Sequence, residues 1–112
     1  MGTVADTAIR LLPAARPNCW LGRSGRSYGL VGENLESFAM DGADLYLLAK
    51  GSHVLWVGSA GDLVADPMSR RRFRLALDLG DRVFRLAATP AETERMATIW
   101  DLEGAEPVAV AA

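Results

Sequence analysis

Arg70-Arg71-Arg72-Phe73-Arg74 is the segment of this 112-residue chain best equipped for ionic recognition. A guanidinium is planar, always charged, and donates through a rigid fork to phosphate or carboxylate. Arginines this dense, with an aromatic among them, suit a polyanion. That polyanion is either a nucleic acid, with a base stacked on the ring, or an acidic protein surface. The surrounding charge is segregated. Residues 67–86 carry six Arg against two Asp, and residues 33–66 carry six acids against Lys50. Residues 1–32 carry four Arg against one Asp, and residues 87–112 carry five acids against Arg95. The formal total is −2, so a generally basic nucleic-acid binder is not indicated and any anion site is local. The run also fits a solvated helix face on which Arg74 pairs with Asp78 one turn later. Arg70 and Arg71 fall early in such a helix, where the dipole disfavours cations, a small cost compatible with an external anion.

Other reactive residue types are sparse. His53 is the only histidine and Cys19 the only cysteine, so neither a multi-histidine metal site nor a cysteine-pair zinc site can be built, and no intrachain disulfide is possible. His53 falls in a predicted turn without a partner for base catalysis. Cys19, beside Trp20, reads as a small buried apolar residue. Trp20, Trp56 and Trp100 read as core anchors, with an interface as the explanation for any that is exposed. Gly22, Gly25, Gly29 and Gly32 lack the order of a phosphate-binding or dinucleotide fingerprint and predict a loop or bends in strands. One cysteine, no secretory pattern at the N-terminus and no long apolar run predict a cytoplasmic protein without a membrane partner.

The elements that position these residues are legible mainly after residue 44. LYLLAK (45–50), GSH (51–53) and VLWVG (54–58) read as two apolar strands joined by a turn, an antiparallel hairpin buried at the centre of a sheet. Asp66-Pro67 is a helix start, with Met68, Arg72, Leu75, Ala76 and Leu79 on one face and Gly80 ending the helix. Residues 82–88 alternate as a strand. Thr89-Pro90-Ala91-Glu92 reads as a capping box opening a helix whose apolar face is Met96, Ile99 and Trp100. Earlier, residues 4–16 read as a short helix or arm, and Asn34 caps a turn carrying Leu35, Phe38 and Met40. The predicted class is α+β: a small mixed sheet built on a central antiparallel hairpin, with helices packed on it. The expected divisions are an N-terminal arm with a Gly-rich loop (1–43), an α+β core (44–106) and a C-terminal tail (107–112).

The order strand, strand, helix, strand, helix, with Leu45-Tyr46 in the first strand and Trp56-Val57-Gly58 in the second, resembles the GIY-YIG nuclease superfamily over residues 44–102. The following Ser59-Ala60-Gly61-Asp62-Leu63 looks like that family's turn into its first helix. The resemblance implies phosphodiester hydrolysis. Tyr46 would activate water, Arg70 or another arginine of 70–72 would stabilise the phosphate, and Glu92 or Glu94 would hold Mg2+. Trp56 stands where the family has a second tyrosine, and an indole is neither acid nor base. Asp66 stands where its arginine is expected.

Three functions follow as expectations. The first is a non-catalytic binding domain with a nuclease-like fold and no cofactor, contacting nucleic acid or an acidic protein surface through Arg70, Arg71, Arg72 and Arg74. The second is an enzyme, a metal-dependent endonuclease using Tyr46, Arg70 and Glu92 with Glu94. The third is a structural subunit of a larger, phage-like assembly with protein partners.

Overall fold

A computed structural model describes residues 18–108. The expected arm at 4–16 and the last four residues of the apolar tail lie outside that range. The described chain is a small α+β fold. The strands are β1 (Asn18–Leu21), β2 (Ser27–Glu33), β3 (Tyr46–Lys50), β4 (His53–Gly58), β5 (Arg82–Leu86) and β6 (Glu106–Pro107). The helices are α1 (Ala60–Ala65), α2 (Pro67–Leu79) and α3 (Arg95–Glu103), the last entered through a 3-10 turn at Glu92–Glu94. All the strands join one sheet in the order β4-β3-β5-β2-β1-β6, and every neighbouring pair is antiparallel. The sheet therefore takes in residues 18–33, which the sequence reading placed in an arm. Their glycines obscured a hairpin in which Gly25, at φ 88, makes the turn and Trp20 and Leu30 are fully buried. No helix among the described residues is long and apolar enough to cross a membrane.

Helices cover both faces. Ile99 and Leu102 of α3 pack with Trp20, Leu30, Leu47 and Phe84 of the sheet, with Trp20 and Phe84 edge to face at 5.4 Å. Ala76 of α2 packs with Tyr46, Leu48, Trp56 and Val83 of the sheet, joined by Leu35, Phe38 and Met40 of the turn that Asn34 caps. This double cover explains why the hairpin is apolar on both sides although β4 is an edge strand and not a central one. β4 also breaks its alternation. Trp56 pairs with Leu48 and Val54 with Ala49, so Leu55 is an extra residue in the ladder. That bulge puts both Leu55 and Trp56 toward α2 while Val54 and Val57 face α3.

Asp66 caps α2 as expected, accepting a hydrogen bond from the Met68 amide at 3.0 Å with Pro67 at the first position. The buried face of α2 differs from the expected one. Ser69, Phe73 and Ala76 turn inward, whereas Met68, Leu75 and Leu79 are 57%, 57% and 58% exposed. Close approach decides this. A β-carbon on Gly80 would stand 3.1 Å from the Ala49 carbonyl oxygen, so the stripe carrying the smallest side chains, Ala76 and Gly80, is the one that fits the sheet. The capping box expected at Thr89 is absent. Ala91 stays extended, the Thr89 hydroxyl bonds the Asp44 carboxylate at 2.6 Å, and α3 begins only at Arg95.

Candidate functional site

The arginine run divides between support and surface. Arg70 is half-buried, and its Nη1 donates to the Leu63 carbonyl at 2.6 Å, satisfying an orphan acceptor in the last turn of α1. Arg71, Arg72 and Arg74 are exposed. Among the described residues the ion pairs are Arg85 with Glu33 and Arg95 with Asp62, so the expected Arg74–Asp78 pair is not made. Phe73 does not lie beside these cations as a stacking platform. It packs edge-on against Trp56 at 4.8 Å. The outer face of α2 thus presents Arg71, Arg72 and Arg74 together with exposed Met68, Leu75 and Leu79.

Tyr46 lies under the same helix layer, 2% exposed. Its hydroxyl accepts from the Asp41 amide at 3.0 Å and donates to the Ala39 carbonyl at 3.2 Å, and no arginine or glutamate is among its partners. The Trp56 indole N–H donates to the Ser69 hydroxyl at 3.0 Å. Glu92 and Glu94 are exposed in the 3-10 turn, and Glu94 borders a hollow of about 310 Å³ with Arg26 and Tyr28. No group of three His, Cys, Asp or Glu side chains that could hold a metal occurs among the described residues. His53 opens β4 and is exposed, and Cys19 is exposed on β1 and not buried as expected. Trp100 is also exposed, because α3 turns Ile99 and Leu102 inward and leaves Trp100 under the Arg23 guanidinium, 5.0 Å from the ring centroid.

The most highly connected polar groups escaped the sequence reading. Asp101, buried on α3, accepts hydrogen bonds at 2.7 Å from the Ser24 amide, the Ser24 hydroxyl and the Tyr28 hydroxyl. Burial alone would raise the Asp101 carboxyl, but the bonds from Tyr28 and Ser24 outweigh it and hold it below the usual carboxylate range. The Tyr28 phenol is pushed up to about 12 by burial and by that same carboxylate. Gly22 is required beside it, since a β-carbon there would fall 2.5 Å from the carboxylate carbon. The second cluster joins α1 to α3. Arg95 reaches the Asp62 carboxylate at 2.5 Å and the Ser59 hydroxyl at 2.8 Å, and Asp62 also accepts from the Ser59 amide. Burial opposes ionisation of Asp62, yet Arg95 and Ser59 hold its carboxyl low, and the carboxylate raises Arg95 in turn. Both clusters are fully hydrogen-bonded braces between elements. One signal for the first was an aspartate in the apolar stretch Ile99–Leu102, which needs a buried partner.

Compared with family models, curated proteins and solved structures, the chain matches none.

Proposed function

We propose that this domain acts by binding, and that its ligand is an acidic, partly apolar protein segment held on the outer face of α2. The observation that carries this reading is the mixture on that face. Arg71, Arg72 and Arg74 offer charge, and Met68, Leu75 and Leu79 offer apolar area within the same helix. A phosphate backbone would use the cations but leave the apolar side chains in water. The aromatic that would stack a base, Phe73, is committed to Trp56. An acidic segment with interspersed apolar residues uses both components, with cations steering encounter and apolar contact slowing release.

The test is fluorescence anisotropy with labelled peptides. A peptide alternating Glu and Val should bind at least about tenfold tighter than one alternating Glu and Gln, a difference of about 1.4 kcal/mol. The Arg71→Ala/Arg74→Ala variant should weaken binding of the Glu–Val peptide. Equal affinity for the two peptides, or tighter binding of duplex DNA, would refute the reading.

A further inference from the structure

The apolar area that α2 leaves in water has a counterpart on the other side of the sheet. In α3, Met96, Trp100 and Glu103 follow one another at four and three positions, so they share one stripe, and all three are exposed. Met96 is 69% exposed. Glu92 and Glu94 stand exposed in the 3-10 turn that leads into the helix. Glu94 and Trp100 border one hollow, and Met96 and Glu103 border another, so acids flank the apolar pair. The cations on this side are Arg95, held by Asp62, Arg26, over the Tyr28 ring, and Arg23, over the Trp100 ring. With Asp62 and Asp101 counted, five acids stand against these three cations, a net −2. From Asp66 to Leu79, four Arg stand against Asp66 and Asp78, a net +2.

The two patches therefore match in kind and oppose in sign. Two α2 faces would repel each other, as would two α3 stripes, so charge favours the unlike pairing. The helices pack on opposite faces of the sheet, so the patches cannot meet within one chain. A large aromatic left in water beside another apolar side chain is the usual anchor of a protein contact. We infer that α3 of one copy docks on the outer face of α2 of the next. Met96 and Trp100 then cover Met68, Leu75 and Leu79, and the glutamates turn toward Arg71, Arg72 and Arg74. This rests on the reading that an acidic, partly apolar protein segment occupies the α2 face, and it names that segment as α3 of a second copy. Because the joined patches differ, the contact is head to tail. Each added copy leaves one α2 face and one α3 stripe open, so association continues past the first pair. A single helix on a single helix is a small contact, so the association is weak and falls with salt.

The experiment is sedimentation velocity of the full chain. Between about 10 and about 500 μM the mean mass should rise with concentration, and excess Glu–Val peptide should reverse the rise. Met96→Ser/Trp100→Ser removes the α3 stripe, and Arg71→Glu/Arg74→Glu reverses the α2 face; all four side chains are exposed. Each variant alone should associate at least about tenfold more weakly than the parent. An equimolar mixture of the two should form a complex of one chain of each, since each retains the face the other lacks. Such complementation cannot come from misfolded chains. A mixture that stays monomeric while the parent associates would overturn the pairing of α3 with α2. A parent that stays monomeric at about 500 μM would overturn it too. In that case, Glu–Val peptide binding that is lost in Arg71→Ala/Arg74→Ala would leave the helix-face reading standing, and no peptide binding would overturn both.

Discussion

The Tyr28 hydroxyl donates to the Asp101 carboxylate at 2.7 Å, joining β2 to α3 through a buried bond between residues 73 positions apart. With Ser24 supplying two more donors, this carboxylate fixes the β1–β2 turn against the last helix. Removing it strands three donors. Asp101→Ala should cost about 3 kcal/mol, read as a lower denaturant midpoint at unchanged slope. A loss below about 0.5 kcal/mol would show that the cluster is not a brace.

This cluster and the Asp62–Arg95 cluster together set a pH dependence. Asp101 and Asp62 are held low in the fold, so their contribution is complete above the unfolded carboxylate value of about 4 and drains as pH falls through the folded value. Tyr28 is raised to about 12, so its contribution is complete below its unfolded value of about 10 and is lost as pH rises toward 12. Chemical denaturation across pH should show both limbs, and Tyr28→Phe should flatten the alkaline one. An unchanged alkaline limb in that variant would contradict the assignment.

Neighbouring arginines should separate cleanly. Arg70→Ala removes the donor to the Leu63 carbonyl and should cost about 1–2 kcal/mol. Arg71→Ala removes an exposed charge and should stay within about 0.5 kcal/mol of the parent. Thermal or urea unfolding of the two variants side by side decides this, and equal losses would place Arg70 on the surface with the others.

Trp100 should account for most of the quenchable fluorescence. It is 57% exposed, against 0% for Trp20 and 4% for Trp56. Acrylamide quenching of the parent and of Trp100→Phe tests this. Substantial quenching that survives the substitution would mean that another indole is open to solvent.

Local signals carried much of this fold. Asp66-Pro67 announced α2 because cap and backbone chemistry are set by adjacent residues, and the two apolar runs around Gly51 announced the hairpin for the same reason. Which stripe of α2 is buried was not legible, because it depends on the distance between Gly80 and the Ala49 carbonyl, and those residues meet only after folding. The order of strands was hidden likewise. β2 lies between β5 and β1, and nothing local to its glycines says so. At the candidate site the arginines were evident, but the inward turn of Phe73 and the outward turn of Met68, Leu75 and Leu79 were not, and that division separates a mixed surface from a stacking platform. The Asp101 cluster joins turn residues to a distant helix, so only the oddity of a buried aspartate marked it.

The central claim, that the outer face of α2 is where an acidic protein segment binds, is tested most directly by titrating 15N-labelled protein with the Glu–Val peptide and following amide shifts. The account predicts perturbations concentrated at Met68, Arg71, Arg72 and Leu75, and abolished in Arg71→Ala/Arg72→Ala/Arg74→Ala. Perturbations centred on the hollow around Arg26 and Glu94, or shifts indifferent to the arginine substitutions, would contradict it.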